Sequence, residues 1–464
     1  VVLNDDLADE LGLDPAWLRT SDGLAYLTGH APDHPTYAQA YAGHQFGVYS
    51  PRLGDGRALL LEERRDARGT LWDVHLKGSG PTAFSRGGDG KAVIGPMLRE
   101  YVVGEFLHAA GIPTTRALAV LTTGEQVWRE GGPAPGAILV RVATGLVRVG
   151  TFQYAAARSP EILRRLADYA IARHYPQCAA DDEPYLALYR SVLAAQASLV
   201  ADWMAVGFVH GVMNTDNMVI AGESMDFGPC AFLDAFDTRA VFSSIDHSGR
   251  YAYGNQPPIA QWNLARFGEA LLPLISQDPK DAVEPVTEAL NGFAAMYEQE
   301  ITARMAAKFG LPTGHQDLIS DALELMQRHR VDYTGFFRAL SQGSPGGLCA
   351  EPTAFDSWYA RWQRVVGDPR HATGGIAPAT DSARETAAGT PPEVAARMDR
   401  VNPLYIPRNH VVEEVLTAAT AGDLSPLERL MGALRQPYED QPGLEDLTRP
   451  APSGSAPHVT FCGT

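Results

Sequence analysis

Lys77, Glu100, the pair Asp216-Asn217 and the triplet Asp226-Phe227-Gly228 are the residues whose types and order suggest chemistry. A lysine neutralises phosphate, and a glutamate on a neighbouring element fixes that lysine. Asparagine and aspartate oxygens suit a hard cation on those phosphates. Upstream, Gly54-Asp55-Gly56 reads as a tight turn whose missing side chains let a nucleotide approach the backbone. Taken singly, each feature is weak, since a Gly-Asp-Gly turn is usually only a turn and an Asp-Phe-Gly triplet arises often by chance. Lysine is scarce: of 38 Lys plus Arg, only Lys77, Lys91, Lys280 and Lys308 are lysines. Codon preference explains most of that bias. A lysine surviving in such a chain still suits a place between phosphates, where a thin ammonium fits and a planar guanidinium does not.

The elements that must position these groups follow from local patterning. RLGDGRALLLEERR reads as a turn feeding a strand, and LWDVHLK as a weaker strand with Lys77 at its end. A glycine-rich charged loop, GSGPTAFSRGGDGKA, comes next. From Gly95 to Ala110 the spacing turns helical, with Leu98, Val102, Phe106 and Ala109 on one face and Glu100 on another. GIPTTRALAVLTTGEQVWRE predicts strand, turn, strand. AILVRVATGLVRVGTF predicts a strand carrying Arg141 and a connector carrying Arg148. EPYLALYRSVLAAQASLVADWMAVGF predicts a long helix, DAVEPVTEALNGFAAMYEQEITARMAAKFG another, and NHVVEEVLTAATAGDLSPLERLMGAL a last one. GDPRHATGGIAPATDSARETAAGTPPEV reads as a surface linker. The organisation predicted is an N-terminal extension over 1–50, a strand-rich unit over 51–155, a helical unit over 156–345 and a C-terminal extension over 346–464.

Bulk properties exclude several classes. With 464 residues, 45% hydrophobic and 20% charged, the chain reads as globular and can bury a large core without disulfides or metals. A net charge of -17 disfavours nucleic acid as a main partner. No run of about 18 apolar residues appears, so no membrane span is expected. The opening stretch lacks a basic segment leading into an apolar one, and four cysteines make no disulfide framework. The expectation is a reducing cytoplasm.

Order across the chain is the stronger signal: glycine turn, strand-end lysine, helix with glutamate, Asp-Asn, then Asp-Phe-Gly is the order of a protein kinase. The fold class predicted is therefore α+β, a kinase-like two-lobed fold. Ordinary phosphotransfer is disfavoured. In H-R-D-x-x-x-x-N the base precedes the metal-binding asparagine by five residues. Five residues before Asn217 stands Val212, which accepts no proton. Asp216 is the acidic group that remains. Its bland alternative is to cap a turn. His210 reads as a packing or hydrogen-bonding group.

YAGHQFG, LGDGRA, HLKGSGPTAFSRGGDGKAV, GIPTTRAL, HGVMNTDNM, DFGP, DHSGRYAYGNQPPIAQWNLAR and NPLYIPRNH together resemble the SelO/YdiU family of pseudokinases over nearly the whole chain. The resemblance implies a protein adenylyltransferase that binds ATP flipped, so that the α-phosphate faces the acceptor. AMP, or UMP from UTP, would pass to Ser, Thr or Tyr hydroxyls of proteins, the enzyme itself included, with pyrophosphate leaving. By motif match, Asp216 would accept the proton, and Asn217 and Asp226 would hold Mg²⁺ or Mn²⁺. Lys77 would contact phosphate and pair with Glu100. Gly54, Gly56, Arg57, Asp89 and Gly90 would contact nucleotide, and Arg141 and Arg148 would grip the triphosphate. The bland alternatives are solvated charges for the two arginines and a turn start for Asp89. His247, Arg250 and Asn255 lie in a matching block without an assigned role. Cys462 matches the family's terminal cysteine, but AVFSSIDHSGRY holds no partner cysteine, and Cys230 is the nearest candidate.

Overall fold

In the computed structural model, residues 1–30, 35–129, 131–368, 389–452 and 454–461 are described. The structure is mixed α/β, built around an antiparallel sheet. Strands β1 (Val2–Leu3), β2 (Gly43–Gln45), β3 (Val48–Ser50), β4 (Ala58–Arg65), β5 (Leu71–Lys77), β6 (Ala92–Val93), β7 (Arg116–Arg129) and β8 (Gly132–Ala143) come first. The main sheet runs β1-β7-β8-β5-β4, with β6 paired to β8, while β2 and β3 form a separate ribbon. The expected strand, turn, strand before residue 130 is one long strand, β7, whose register slips between Thr122 and Gln126.

Helices α1 (Asp5–Glu10), α2 (Pro15–Leu18) and α3 (Ser21–Leu27) cover one face of the sheet. There Leu7, Leu11 and Leu27 meet Val74, Leu76 and Val140. Helix α4 (Ile94–Ala109) packs on the opposite face. Side chains alternate across a strand, so Val74 and Leu76 join the α1–α3 core while His75 and Lys77 turn the other way. His75 pairs in register with Arg141 of β8, which sets lysine, histidine and arginine on one face.

Downstream the chain is mostly helical: α5 (Val149–Ala156), α6 (Pro160–His174), α7 (Pro184–Val206), α8 (Gln256–Ile275), α9 (Pro279–Asn291) and α10 (Phe293–Lys308). Helix α7 ends at Gly207, which adopts the left-handed conformation favoured after a helix. The single helix expected over 281–310 is two, α9 and α10, because the chain breaks at Gly292 between them. Helices α11 (Gln316–His329), α12 (Tyr333–Ser341), α13 (Asp356–Val366) and α14 (Pro392–Asp399) enclose a second core around Phe336, Phe337 and Trp362. Most of the predicted linker lies outside the described residues. The last expected helix is also two, α15 (Asn409–Thr420) and α16 (Ser425–Arg435), separated at Gly422. Both pack back on α4.

Two short strands, β9 (Phe208–Val209) and β10 (Ala231–Phe232), flank the segment that carries Asp216 and Asp226. Among the described residues no helix is long and apolar enough to cross a membrane.

Candidate active site

Lys77 ends β5 and Glu100 lies on the α4 face turned toward it; the two form a buried ion pair. The same Nζ donates to Asp226 Oδ1 at 2.5 Å, and Arg141 donates to that oxygen at 3.0 Å. Asp226 adopts a left-handed backbone, φ 61°, uncommon for a residue with a side chain. Burial alone would raise its proton affinity. The charges of Lys77, Arg141 and Arg148 override that and hold its carboxyl well below the usual carboxylate range. Phe227 turns into the core beside Phe208.

Arg141 and Arg148 are each only 2% exposed, so neither is a solvated surface charge. Arg148 donates to Gln39 and Asp55, both at 3.1 Å, and its guanidinium lies 4.2 Å from the Tyr41 ring centre. Asp55, between the two glycines of the turn, is therefore an internal counter-ion. Gly54 holds φ 76°, and a Cβ there would fall 2.3 Å from the Phe84 ring. Thr82 and Ser85 donate to the carbonyls of Asp55 and Gly56. The glycine turn is thus roofed by the 78–91 loop. Arg57 carries the carbonyl that accepts from Gly78 N at 2.7 Å. Gly90 O accepts from Gly80 N, closing the base of the loop. Asp89 lies exposed on that loop, and its carboxylate engages Arg129 at 2.9 Å and the Lys91 amide at 3.0 Å.

Asp216 sits in a single turn of 3-10 helix, Thr215–Asn217. The β2–β3 ribbon clamps this turn. Gln45 Nε2 donates to Asp216 Oδ2 at 3.1 Å, His44 N to Thr215 Oγ1 at 2.7 Å and Phe46 N to Asn214 Oδ1 at 3.1 Å. A Cβ on Gly43 would lie 2.7 Å from Asp216 Oδ1, so only glycine allows this approach. That Oδ1 is buried and has no hydrogen-bond partner among the described residues. Burial pushes the Asp216 carboxyl up to about 6, against the lowering effect of the Gln45 hydrogen bond and of Arg148. A carboxyl with this affinity is ionised near neutral pH and can still take a proton there.

His210 accepts from Val212 N at Nδ1 and reaches Met225 O through Nε2 at 2.9 Å, so both ring nitrogens serve structure. Val212, at the kinase base position, is buried in the main core. His75, which the sequence did not single out, is fully buried beneath Lys77 and Arg141, with both ring nitrogens unpartnered among the described residues. Burial, reinforced by Arg141 and Arg148, keeps it neutral.

Glu100 Oε2, Arg141 Nε, Arg148 Nε and Asp216 Oδ1 are buried without partners among the described residues. Unmet polar groups of both signs, gathered in one place, are what an anionic ligand with a cation would satisfy. Asn217 Nδ2 donates to Val212 O at 3.1 Å, which leaves its oxygen as the group to offer a cation. Among the described residues no group of three His, Cys, Asp or Glu is placed to hold a metal. The donor set fits a hard cation that takes most of its ligands from phosphate and water.

Gln39, Asp55, Gln45 and Gly43 are the site residues that sequence reasoning missed. For Gly43, Gln45 and Asp55 the signal was the motif YAGHQFG and the aspartate inside LGDGRA, which carried no recognisable chemistry, and Gln39 stood in no motif. Cys230 is buried, with Sγ 3.1 Å from Phe227 O, and burial pushes its thiol up to about 12. Cys462 lies outside the described residues.

Gln45 yields a prediction. Its N–H stabilises the ionised form of Asp216, so Gln45→Ala raises the carboxyl's proton affinity. The acid limb of the kcat/KM profile is expected to move from near pH 6 to higher pH by about one unit, which is about one hydrogen bond to a charged group. A pH-rate series checks this, and an unmoved limb would remove Gln45 from that role.

Comparison with known proteins gives the chain its relatives. The profile of the family described as protein adenylyltransferase SelO matches residues 1–435. The chain is 54% identical to a protein nucleotidyltransferase YdiU of Pseudarthrobacter chlorophenolicus, covering 100% of this chain and 93% of that protein. It is 55% identical to a protein of the same name from Mycolicibacterium smegmatis and 53% to one from Cereibacter sphaeroides, with the same coverage. The chain belongs to the SelO family of protein adenylyltransferases and is a nucleotidyltransferase.

Proposed function

We propose that this enzyme moves AMP from ATP onto Ser, Thr or Tyr hydroxyls of proteins, itself among them. The acceptor oxygen attacks the α-phosphorus, the bond from that phosphorus to the bridging oxygen breaks, and pyrophosphate leaves with the electron pair. Asp216 takes the hydroxyl proton on Oδ1. Lys77, held by Glu100, and the arginines Arg141 and Arg148 bind the departing diphosphate end. Gly54, Gly56, Arg57, Asp89 and Gly90 border the nucleotide. Asn217 and Asp226 would hold Mg²⁺ or Mn²⁺, which when bound neutralises phosphate charge.

The observation that carries this reading is the union of two buried, under-satisfied arginines with an unpartnered Asp216 oxygen. The charges suit a leaving diphosphate, and the oxygen suits an attacking hydroxyl. Val212 supports transfer of AMP over phosphate, since it supplies no base where a kinase has one. We also read the fold as kinase-like, with an N-lobe over 51–155, a helical C-lobe over 156–345 and extensions over 1–50 and 346–464. The lysine strand, the glutamate helix and the helical region that follows support that reading.

Parallel incubation with α-labelled and γ-labelled ATP tests the reaction. Protein-bound label from the α position and released pyrophosphate are expected. Label from the γ position alone would make the protein a kinase, and label from neither an inert relative.

A further inference from the structure

The DHSGRY block finds its place beside the proposed base. Asp246 accepts from the amides of Arg250 and Tyr251 at 2.9 and 2.8 Å, and Asn255 donates to Gly249 O, so the loop is rigid. This sets the Arg250 guanidinium 4.8 Å from the Trp262 ring centre and 3.7 Å from where a side chain on Gly47 would begin. Gly47 lies at the tip of the β2–β3 ribbon, two residues from Gln45, which bonds Asp216. Two residues span no more than about 7 Å.

Arg250 makes no ion pair among the described residues, its side chain meeting only the hydroxyl and ring of Tyr251 and the ring of Trp262 in the contacts that hold it, although the chain holds 55 acidic residues against 38 basic ones. Its Nε is buried without a partner among the described residues. The neighbouring cation, Arg266, stacks on the same Trp262 ring but is neutralised by Glu269 at 2.8 Å. Exposed apolar side chains stand on the neighbouring stretches of chain: Val48, next to Gly47 at the ribbon tip, is 73% exposed, and Val241, also exposed, stands 3.4 Å from the Cβ position of Gly249. An unpaired, half-buried cation in an apolar rim calls for an anionic partner with an apolar body.

We propose that this face receives the acceptor polypeptide, and that Arg250 pairs with an acidic side chain within about three residues of the modified hydroxyl. The proposal rests on the adenylyl-transfer reading and names its substrate class. Charge complementarity selects the occupant: a chain segment bearing Asp or Glu satisfies Arg250, and one bearing Lys or Arg is repelled.

The test uses the whole enzyme with α-labelled ATP and two synthetic peptides. Each has one serine, flanked on both sides at a distance of two residues by Glu in one peptide and Lys in the other. The wild type is expected to label the Glu peptide about tenfold more efficiently in kcat/KM, the factor that about 1.4 kcal/mol represents. R250Q should erase the preference and R250E reverse it. Should R250E fail to fold, the wild-type preference and its loss in R250Q decide the matter. Equal labelling by the wild type, self-labelling with neither peptide modified, or unchanged selectivity in R250Q overturns the proposal. Absence of AMP transfer to any acceptor, the enzyme included, overturns the adenylyl-transfer reading instead.

Discussion

Replacing Asp216 with asparagine is expected to lower AMP transfer about 10²–10⁴-fold, the usual contribution of one positioned base. Asparagine keeps the shape of the side chain, so the Gln45 contact and the packing against Gly43 survive. What it loses is the ability to take a proton. Nucleotide affinity should change only a few-fold, because the charges proposed to bind phosphate sit on Lys77, Arg141 and Arg148. Intact-mass measurement of self-modification and calorimetric titration with ATP separate the two effects. Transfer near the wild-type rate would exclude Asp216 as the base. The pH dependence has a definite sign: the carboxyl must be ionised to work, so the wild-type rate should fall as pH drops through about 6.

The second large effect is on stability. Arg408 of NPLYIPRNH is 1% exposed and holds Asp332 through both terminal nitrogens, at 2.5 and 2.8 Å. It also reaches Asp234 at 2.9 Å and the Thr448 carbonyl. Asp332 in turn caps α12 through Gly335 N. Next in the chain, Asn409 exchanges two hydrogen bonds with the Phe232 backbone in β10. One residue pair thus ties the C-terminal region to the strand that follows Asp226. Arg408→Ala leaves the buried Asp332 carboxylate uncompensated and takes a partner from the partly exposed Asp234, and removing one partner of a buried pair costs about 3–5 kcal/mol. The shift in urea midpoint against wild type measures it. A change below about 1 kcal/mol, the size of an exposed pair, would contradict this account.

The sequence made one half of the site legible and left the other half hidden. Lys77, Glu100 and Asp226 were readable because their types and order are those of nucleotide chemistry, and β5 and α4 deliver the first two as the periodicity predicts. Arg141 and Arg148 were assigned through family resemblance; only the fold shows them buried rather than solvated. Asp55 looked like a turn spacer and is the counter-ion of Arg148, 93 residues away. Gln45 is 171 residues from Asp216. Contacts that remote leave no periodic trace, because ribbon pairing and close approach are decided by tertiary packing. The helix breaks at Gly292 and Gly422 were missed for a related reason: the flanking segments keep helical spacing, and one glycine is tolerated or not according to what surrounds it.

The central claim concerns which phosphorus faces Asp216. A crystal structure of the enzyme with a non-hydrolysable ATP analogue and Mg²⁺ reads it directly. The account predicts the α-phosphorus nearest Asp216 Oδ1, with the terminal phosphate against Arg141 and Arg148. The γ-phosphorus facing Asp216 would contradict it.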